Sequence, residues 1–171
     1  MRISKIRDVK TPTRGTAKSA GLDFYVPNDF EPWWVCRNCG VNIPSGIKAN
    51  IPEGFALIAF NKSGIAVKNG LQIGACVADE DYQGEIHLHV VNVGNNGPVL
   101  IAPGMKLVQF ILLPVNYEAI EVVDENELYN EASERGEGGF GSTNNCKECG
   151  DRGILYDDKG NRMGICPCHN F

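Results

Sequence analysis

The sequence predicts an all-β fold, a barrel or sandwich, on three observations. Short apolar stretches recur at close spacing, prolines and glycines punctuate them, and helical periodicity is almost absent. At 171 residues with 43% hydrophobic content, the chain can bury one real core and carry a small appendage. The net charge of −5 and the lack of any basic block argue against nucleic-acid binding, which rests on cationic contacts to phosphate. No apolar run approaches the ~18 residues of a membrane span. The opening MRISKIRDVK has no secretory apolar region, so a cytoplasmic protein without membrane contact is expected.

In chain order, ISKIRDV (3–9) predicts a first strand and AGLDFYV (20–26) a second. Asp23 is anomalous in that second strand, because a carboxylate among apolar residues needs partners. Residues 27–40 hold Trp33, Trp34 and a Cys36-x-x-Cys39 knuckle, and read as a loop inserted between strands. VNIPSGIKANIPEGFALIAF (41–60) gives short strands separated by Pro-x-Gly turns. NKSGIAVKNG (61–70) is a polar turn with a single helical turn at most, where Lys62, Ser63 and the amides near Gly64 suit a phosphate. EIHLHVVN (85–92) alternates like a strand. His87 and His89 share one face of it, and ordinary side-chain roles are favoured over a metal pair. VLIAPGMKLVQFILLPV (99–115) supplies two further strands, with Gln109 as a polar intruder whose amide needs a partner. One helix candidate spans 124–130.

GACVADEDYQGE (74–85) is the richest stretch for chemistry. It reads as a β-hairpin with Asp79, Glu80 and Asp81 at the turn and Tyr82 beside them. A carboxylate there can take a proton from water, and a cluster can collect a hydrated divalent cation. Cys76 within it is expected to be a small buried apolar residue. Near the C-terminus, ERGEGGFGSTNN is too glycine-rich to pack and reads as an arm that orders over a ligand. Arg135 would meet anionic oxygens there, Phe140 would stack, and Ser142 and Thr143 would hydrogen-bond.

Seven cysteines in clustered spacings point to metal ligation rather than disulfides. Beside Cys36 and Cys39 stand Cys146-x-x-Cys149 and, sixteen residues on, Cys166-x-Cys168-His169.

Five stretches together resemble the dUTPase family: AGLDF (20–24), KSGIA (62–66), ADEDYQGE (78–85), GMKLVQFI (104–111) and RGEGGFGST (135–143). They stand in the family's order and cover residues 3 to 143. The resemblance implies a jelly-roll-like β-barrel that assembles as a homotrimer with active sites between subunits. It implies hydrolysis of dUTP to dUMP and pyrophosphate, with Mg²⁺ on the triphosphate. Asp79 would be the general base that activates water for attack at the α-phosphorus. Tyr82 would pack on the deoxyribose. Lys62, Ser63, Gly64 and Gln109 would serve the phosphates, and Asp23 would reach the metal through water. Arg135, Phe140, Ser142 and Thr143 would belong to the closing arm. The chain departs from the family at Lys62 and Lys106, where arginine is usual, and at Met105, where an acid is usual. It departs again at Cys76 and Ala78, where glycine and isoleucine are usual. These changes bear on which pyrimidine fits, not on the type of reaction.

The tail from Cys146 resembles a zinc ribbon turning at 158–161, with structural Zn²⁺ on Cys146, Cys149, Cys166 and Cys168. His169 is the alternative fourth ligand, and Cys36 with Cys39 offers a second or shared site. The expected organisation is a β domain over 1–134, an arm over 135–145 and the zinc-ribbon-like module over 146–171. The rival readings are a dCTP deaminase-like enzyme and a regulatory nucleotide-binding protein that acts on a protein partner through the ribbon.

Overall fold

A computed structural model describes residues 1–138, 146, 149 and 153–167. The chain divides into two compact units, Met1–Glu118 and Ala119–Phe171. The fold is mostly β, as the punctuation of short apolar runs predicts, and every strand pairing among the described residues is antiparallel.

In the first unit, β1 (Arg2–Lys5) pairs with β5 (Ile47–Asn50). A four-stranded sheet runs in the order β2 (Leu22–Tyr25), β11 (Lys106–Pro114), β6 (Phe55–Phe60), β8 (Val77–Ala78). A three-stranded sheet runs β4 (Gly40–Pro44), β9 (His87–Asn92), β7 (Leu71–Ile73). Strand β3 (Trp33–Val35) pairs with β10 (Val99–Ile101). Alternate residues of these strands point inward, so Phe24, Ile43, Leu57, Leu88, Val90, Ile101 and Phe110 meet in one core. Phe24 and Phe110 pack with ring centroids 4.5 Å apart.

Four local expectations are corrected. The stretch 27–40 is not a mere loop, because β3 joins a sheet and buries Val35 while Trp33 and Trp34 stay exposed. Residues 61–70 form α1 (Ser63–Asn69), seven residues long, which ends at Gly70 in the left-handed conformation. Only an unbranched backbone adopts that φ cheaply, so Gly70 is the stop signal. The acidic stretch is not a regular hairpin, since β8 pairs with β6 whereas β9 pairs with β4 and β7. Cys76, in the connection between β7 and β8, is exposed rather than buried.

In the second unit, the helix candidate at 124–130 is a three-residue 3₁₀ turn, Glu125–Glu127. Strands β12 (Ile154–Tyr156) and β13 (Arg162–Ile165) form the expected hairpin. Its turn is tied by Asp157, whose carboxylate accepts from the amides of Lys159 at 2.9 Å and Asn161 at 2.7 Å. The side-chain amide of Asn161, donating to the other carboxylate oxygen at 3.0 Å, and then these backbone bonds hold the Asp157 carboxyl below its usual range.

Candidate active site

Asp23 sits in β2 with only 6% of its surface exposed. The partners that its burial demands are two ammonium groups: Lys62 Nζ lies 2.6 Å from one carboxylate oxygen and Lys106 Nζ 3.3 Å from the other. Lys62 precedes α1, and Lys106 opens β11 opposite Tyr25. The hydrogen bond to Asp23, and then the charge of Tyr25, hold Lys106 above the usual lysine value. Tyr25 is lowered in turn, chiefly by its hydrogen bond with Thr13 at 2.6 Å. Two cations around one carboxylate leave a net positive locus, as a polyphosphate requires.

Gln109 stands opposite Asp23 in the β2–β11 register and opposite Phe60 across β6. Its amide donates to the carbonyl of Asn61 at 2.7 Å, which is the partner its position among apolar neighbours requires. Asn61 in turn accepts from the amide of Ile73 at 2.8 Å, tying the start of the Lys62–Ser63–Gly64 segment to the end of β7. The structure thus gathers Asp23, Lys62, Lys106 and Gln109 where β2, β11 and β6 lie side by side.

The acidic stretch follows β8 at the other edge of the same sheet. The amide of Tyr82 donates to the carbonyl of Asp79 at 3.2 Å, which makes 79–82 a tight turn. The Tyr82 hydroxyl donates to the carbonyl of Glu85 at 2.9 Å, so its ring is fixed beside the turn. Two neighbouring acids have structural duties. Glu80 accepts from the amide of Gly54, and Glu85 accepts from that of Gly46. Asp79 and Asp81 are both exposed and, among the described residues, neither makes such a capping bond, so these two carboxylates of the turn stand open to a ligand. Beside the turn lies a pocket of about 250 Å³ lined by Ala75, Cys76, Val77, Ala78, Tyr82, Glu85, Ile86, His87 and Phe110. It is largely apolar, with an aromatic wall.

His87 and His89 each use Nδ1 in a local contact: that of His87 faces the carbonyl of Glu85 at 3.0 Å, and that of His89 accepts from the amide of Ala75 at 2.8 Å.

In the second unit, Nε of Arg135 donates to the carbonyl of Gly138 at 2.6 Å. Phe140, Ser142 and Thr143 lie outside the described residues. The ligand atoms of Cys146, Cys149 and Cys166 all lie within 4.8 Å of one another, with Cys146 and Cys166 sulfurs 3.6 Å apart. Cys149 and Cys166 are buried. Cys168 and His169 lie outside the described residues. Cys36 and Cys39 are exposed, on a knuckle closed by a hydrogen bond from the Cys39 amide to the Cys36 carbonyl at 3.1 Å.

Sequence reasoning missed Asn61 and Asn92. Asn92 is fully buried and donates to the carbonyls of Val35 at 2.9 Å and Gly97 at 3.0 Å, which pins the knuckle strand to β9. The available signal was an amide ending the apolar run HLHVVN, which burial obliges to be fully bonded.

Comparison with known proteins bears on this arrangement. The dUTPase family model matches residues 7–144. A deoxyuridine 5'-triphosphate nucleotidohydrolase of Dictyoglomus turgidum is 34% identical over 143 residues, covering 80% of this chain and 92% of its own length. One from Yarrowia lipolytica is 38% identical over 137 residues, covering 80% and 83%. Among solved structures, a Staphylococcus bacteriophage 80alpha dUTPase with dUpNHpp superposes with a TM-score of 0.73 at 21% identity, covering 83% of this chain and 96% of that one. A dUTPase from phage phi11 of S. aureus, described with a structural Mg(II) ion, gives 0.64 at 19% identity, covering 74% and 97%.

Proposed function

The chain belongs to the dUTPase family, and on that premise we propose how its residues hydrolyse dUTP to dUMP and pyrophosphate. The observation that carries the reading is one sheet with a cationic locus at Asp23, Lys62 and Lys106 and, at its β8 edge, the open carboxylates of Asp79 and Asp81 beside an aromatic-walled pocket, Asp79 being the one that matches the family's general base.

Lys62, Ser63, Gly64, Lys106 and Gln109 receive the triphosphate. The amides that open α1 have no partner within the helix, so they add donors to the lysine charges. Tyr82 packs on the deoxyribose, and the small pocket beside it takes the pyrimidine. Asp79 removes a proton from a water whose oxygen attacks the α-phosphorus. The bond from that phosphorus to the bridging oxygen of the β-phosphate breaks, and pyrophosphate leaves with the electron pair. Phosphoryl transfer of this kind depends on positioning and charge neutralisation more than on covalent chemistry.

Mg²⁺, when bound, neutralises charge on the triphosphate. Asp23 fits it as a partner reached through water: its carboxylate is already met by an ammonium on each oxygen, and Mg²⁺ characteristically keeps several waters. Arg135, Phe140, Ser142 and Thr143 form the arm that closes on phosphates and base. The homotrimer that the family resemblance implies is part of the proposal, and an interface between copies would cover Ile120 and Val122, which are 94% and 92% exposed after β11. Among the described residues no helix is long and apolar enough to cross a membrane; a cytoplasmic site of action belongs to the proposal.

The tail's metal is part of the same proposal. Three thiols converge, two of them buried, and a hairpin with so little apolar content needs such a staple. Zn²⁺ on Cys146, Cys149 and Cys166 is completed by Cys168, with His169 as the alternative.

The test is pyrophosphate release from dUTP, dCTP and dTTP, with ammonia measured in parallel. Pyrophosphate from dUTP in preference to the others is expected. Ammonia from dCTP would establish a deaminase, and binding without product would establish a regulatory protein.

A further inference from the structure

We infer that His89, which does not itself line the pyrimidine pocket, is a positioning residue that fixes its wall. The inference rests on reading that pocket as a nucleotide site. Strand β7 leaves its sheet after Ile73. The last ladder bond runs from the amide of Gly74 to the carbonyl of His89 at 3.1 Å. The next amide, that of Ala75, has lost its strand partner, and the His89 ring supplies one: Nδ1 accepts it at 2.8 Å. One residue on, the carbonyl of Cys76 accepts from the amide of Ala59 in β6 at 2.7 Å. Ala75 and Cys76 line the pocket, so the wall hangs between β9 and β6, and the Ala75 anchor is the one made by a side chain.

The surroundings are shaped for this ring. A Cβ on Gly74 would overlap Nδ1 and Cε1 of His89, and one on Gly40 would stand 3.2 Å from Nε2. One glycine in β4 and one just past the end of β7 therefore leave the space the imidazole occupies. Because Nδ1 accepts, the proton of the neutral ring resides on Nε2. An asparagine carries its amide oxygen at the position of Nδ1 and can reproduce the bond. A glutamine places its amide one bond farther out and cannot.

The experiment compares His89→Ala, His89→Asn and His89→Gln in the full-length protein, by dUTP kinetics and by hydrogen exchange at the Ala75 amide. Loss of one hydrogen bond that orders a binding wall predicts a KM for dUTP about three- to tenfold higher in the Ala and Gln variants with kcat held. Faster exchange at Ala75 accompanies it, and His89→Asn returns both readouts toward the parent. Three results would each overturn the inference: parent-like exchange in His89→Ala, no rescue by asparagine, or faster exchange with KM unchanged. A parent protein that does not hydrolyse dUTP would sink the proposed reaction instead. Exchange, together with the affinity for a nucleotide that does bind, would then decide the role of His89.

Discussion

The two units hold themselves together by different means. The first, Met1–Glu118, buries Phe24, Ile43, Leu57, Leu88 and Ile101 almost completely in a core shared by its sheets. The second, Ala119–Phe171, buries only Cys149 and Cys166 among its described residues. Apolar burial at roughly 25 cal/mol per Å² can offset the entropy of ordering the first unit but has almost nothing to act on in the second. The contrast explains why ordinary apolar patterning marks the first unit, whereas cysteine spacing marks the second.

That contrast breaks most sharply under Cys149→Ser. If the tail's folding free energy is its metal binding, on the order of 10 kcal/mol in apparent terms, the variant loses bound zinc and the β12–β13 hairpin signals. The melting of the first unit stays where it was. Zinc content by mass spectrometry and thermal melting read the two effects separately, and a shift of the main melting transition would mean that the units are not independent.

Phe24→Ala probes the other side. Removing a fully buried ring in contact with Phe110 should cost the first unit about 3–5 kcal/mol, with zinc content unchanged. Denaturant unfolding gives the magnitude.

Smaller still is Phe140→Ala. Loss of base stacking, worth ~1–3 kcal/mol, should weaken dUTP binding and turnover together. Unchanged kinetics would show that the arm does not close on the nucleotide.

The smallest effect concerns pH. Lys106 is raised above its usual value by Asp23 first and Tyr25 next. A raised pKa gives stability that is fully present below the unfolded lysine value, about 10.4, and is lost as pH climbs through the folded value. Melting temperatures recorded across that alkaline window should fall in the parent and fall less in Lys106→Met.

How far the sequence could be read follows from where information is local. The strand around Phe24 and the stretch KLVQFILLP were legible because each is a short, nearly continuous apolar run bounded by turn signals. The length of α1 was not. It has no buried residue and Val67 is 84% exposed, so no amphipathic stripe announces it. Pairing was the harder failure. EIHLHVVN alternates as a strand should, but nothing local says that its partners are β4 and β7 rather than β8. The exposure of Cys76 follows from the same error, since the chain leaves the sheet between Ile73 and Val77. The candidate site was more legible than the topology. Asp23 and Gln109 stood out as polar residues in apolar strands, and each has its partner: buried Asp23 is met by two lysines, half-buried Gln109 by the Asn61 carbonyl.

The account turns on Asp79 as the group that takes the proton from water. The most direct measurement is single-turnover pyrophosphate release from dUTP by Asp79→Asn beside the parent, with nucleotide affinity measured on the same samples. Asparagine keeps the shape and cannot accept the proton, so the rate should fall by about 10²–10⁴ while affinity is largely kept. Turnover at the parent rate would contradict the account and move the general base elsewhere.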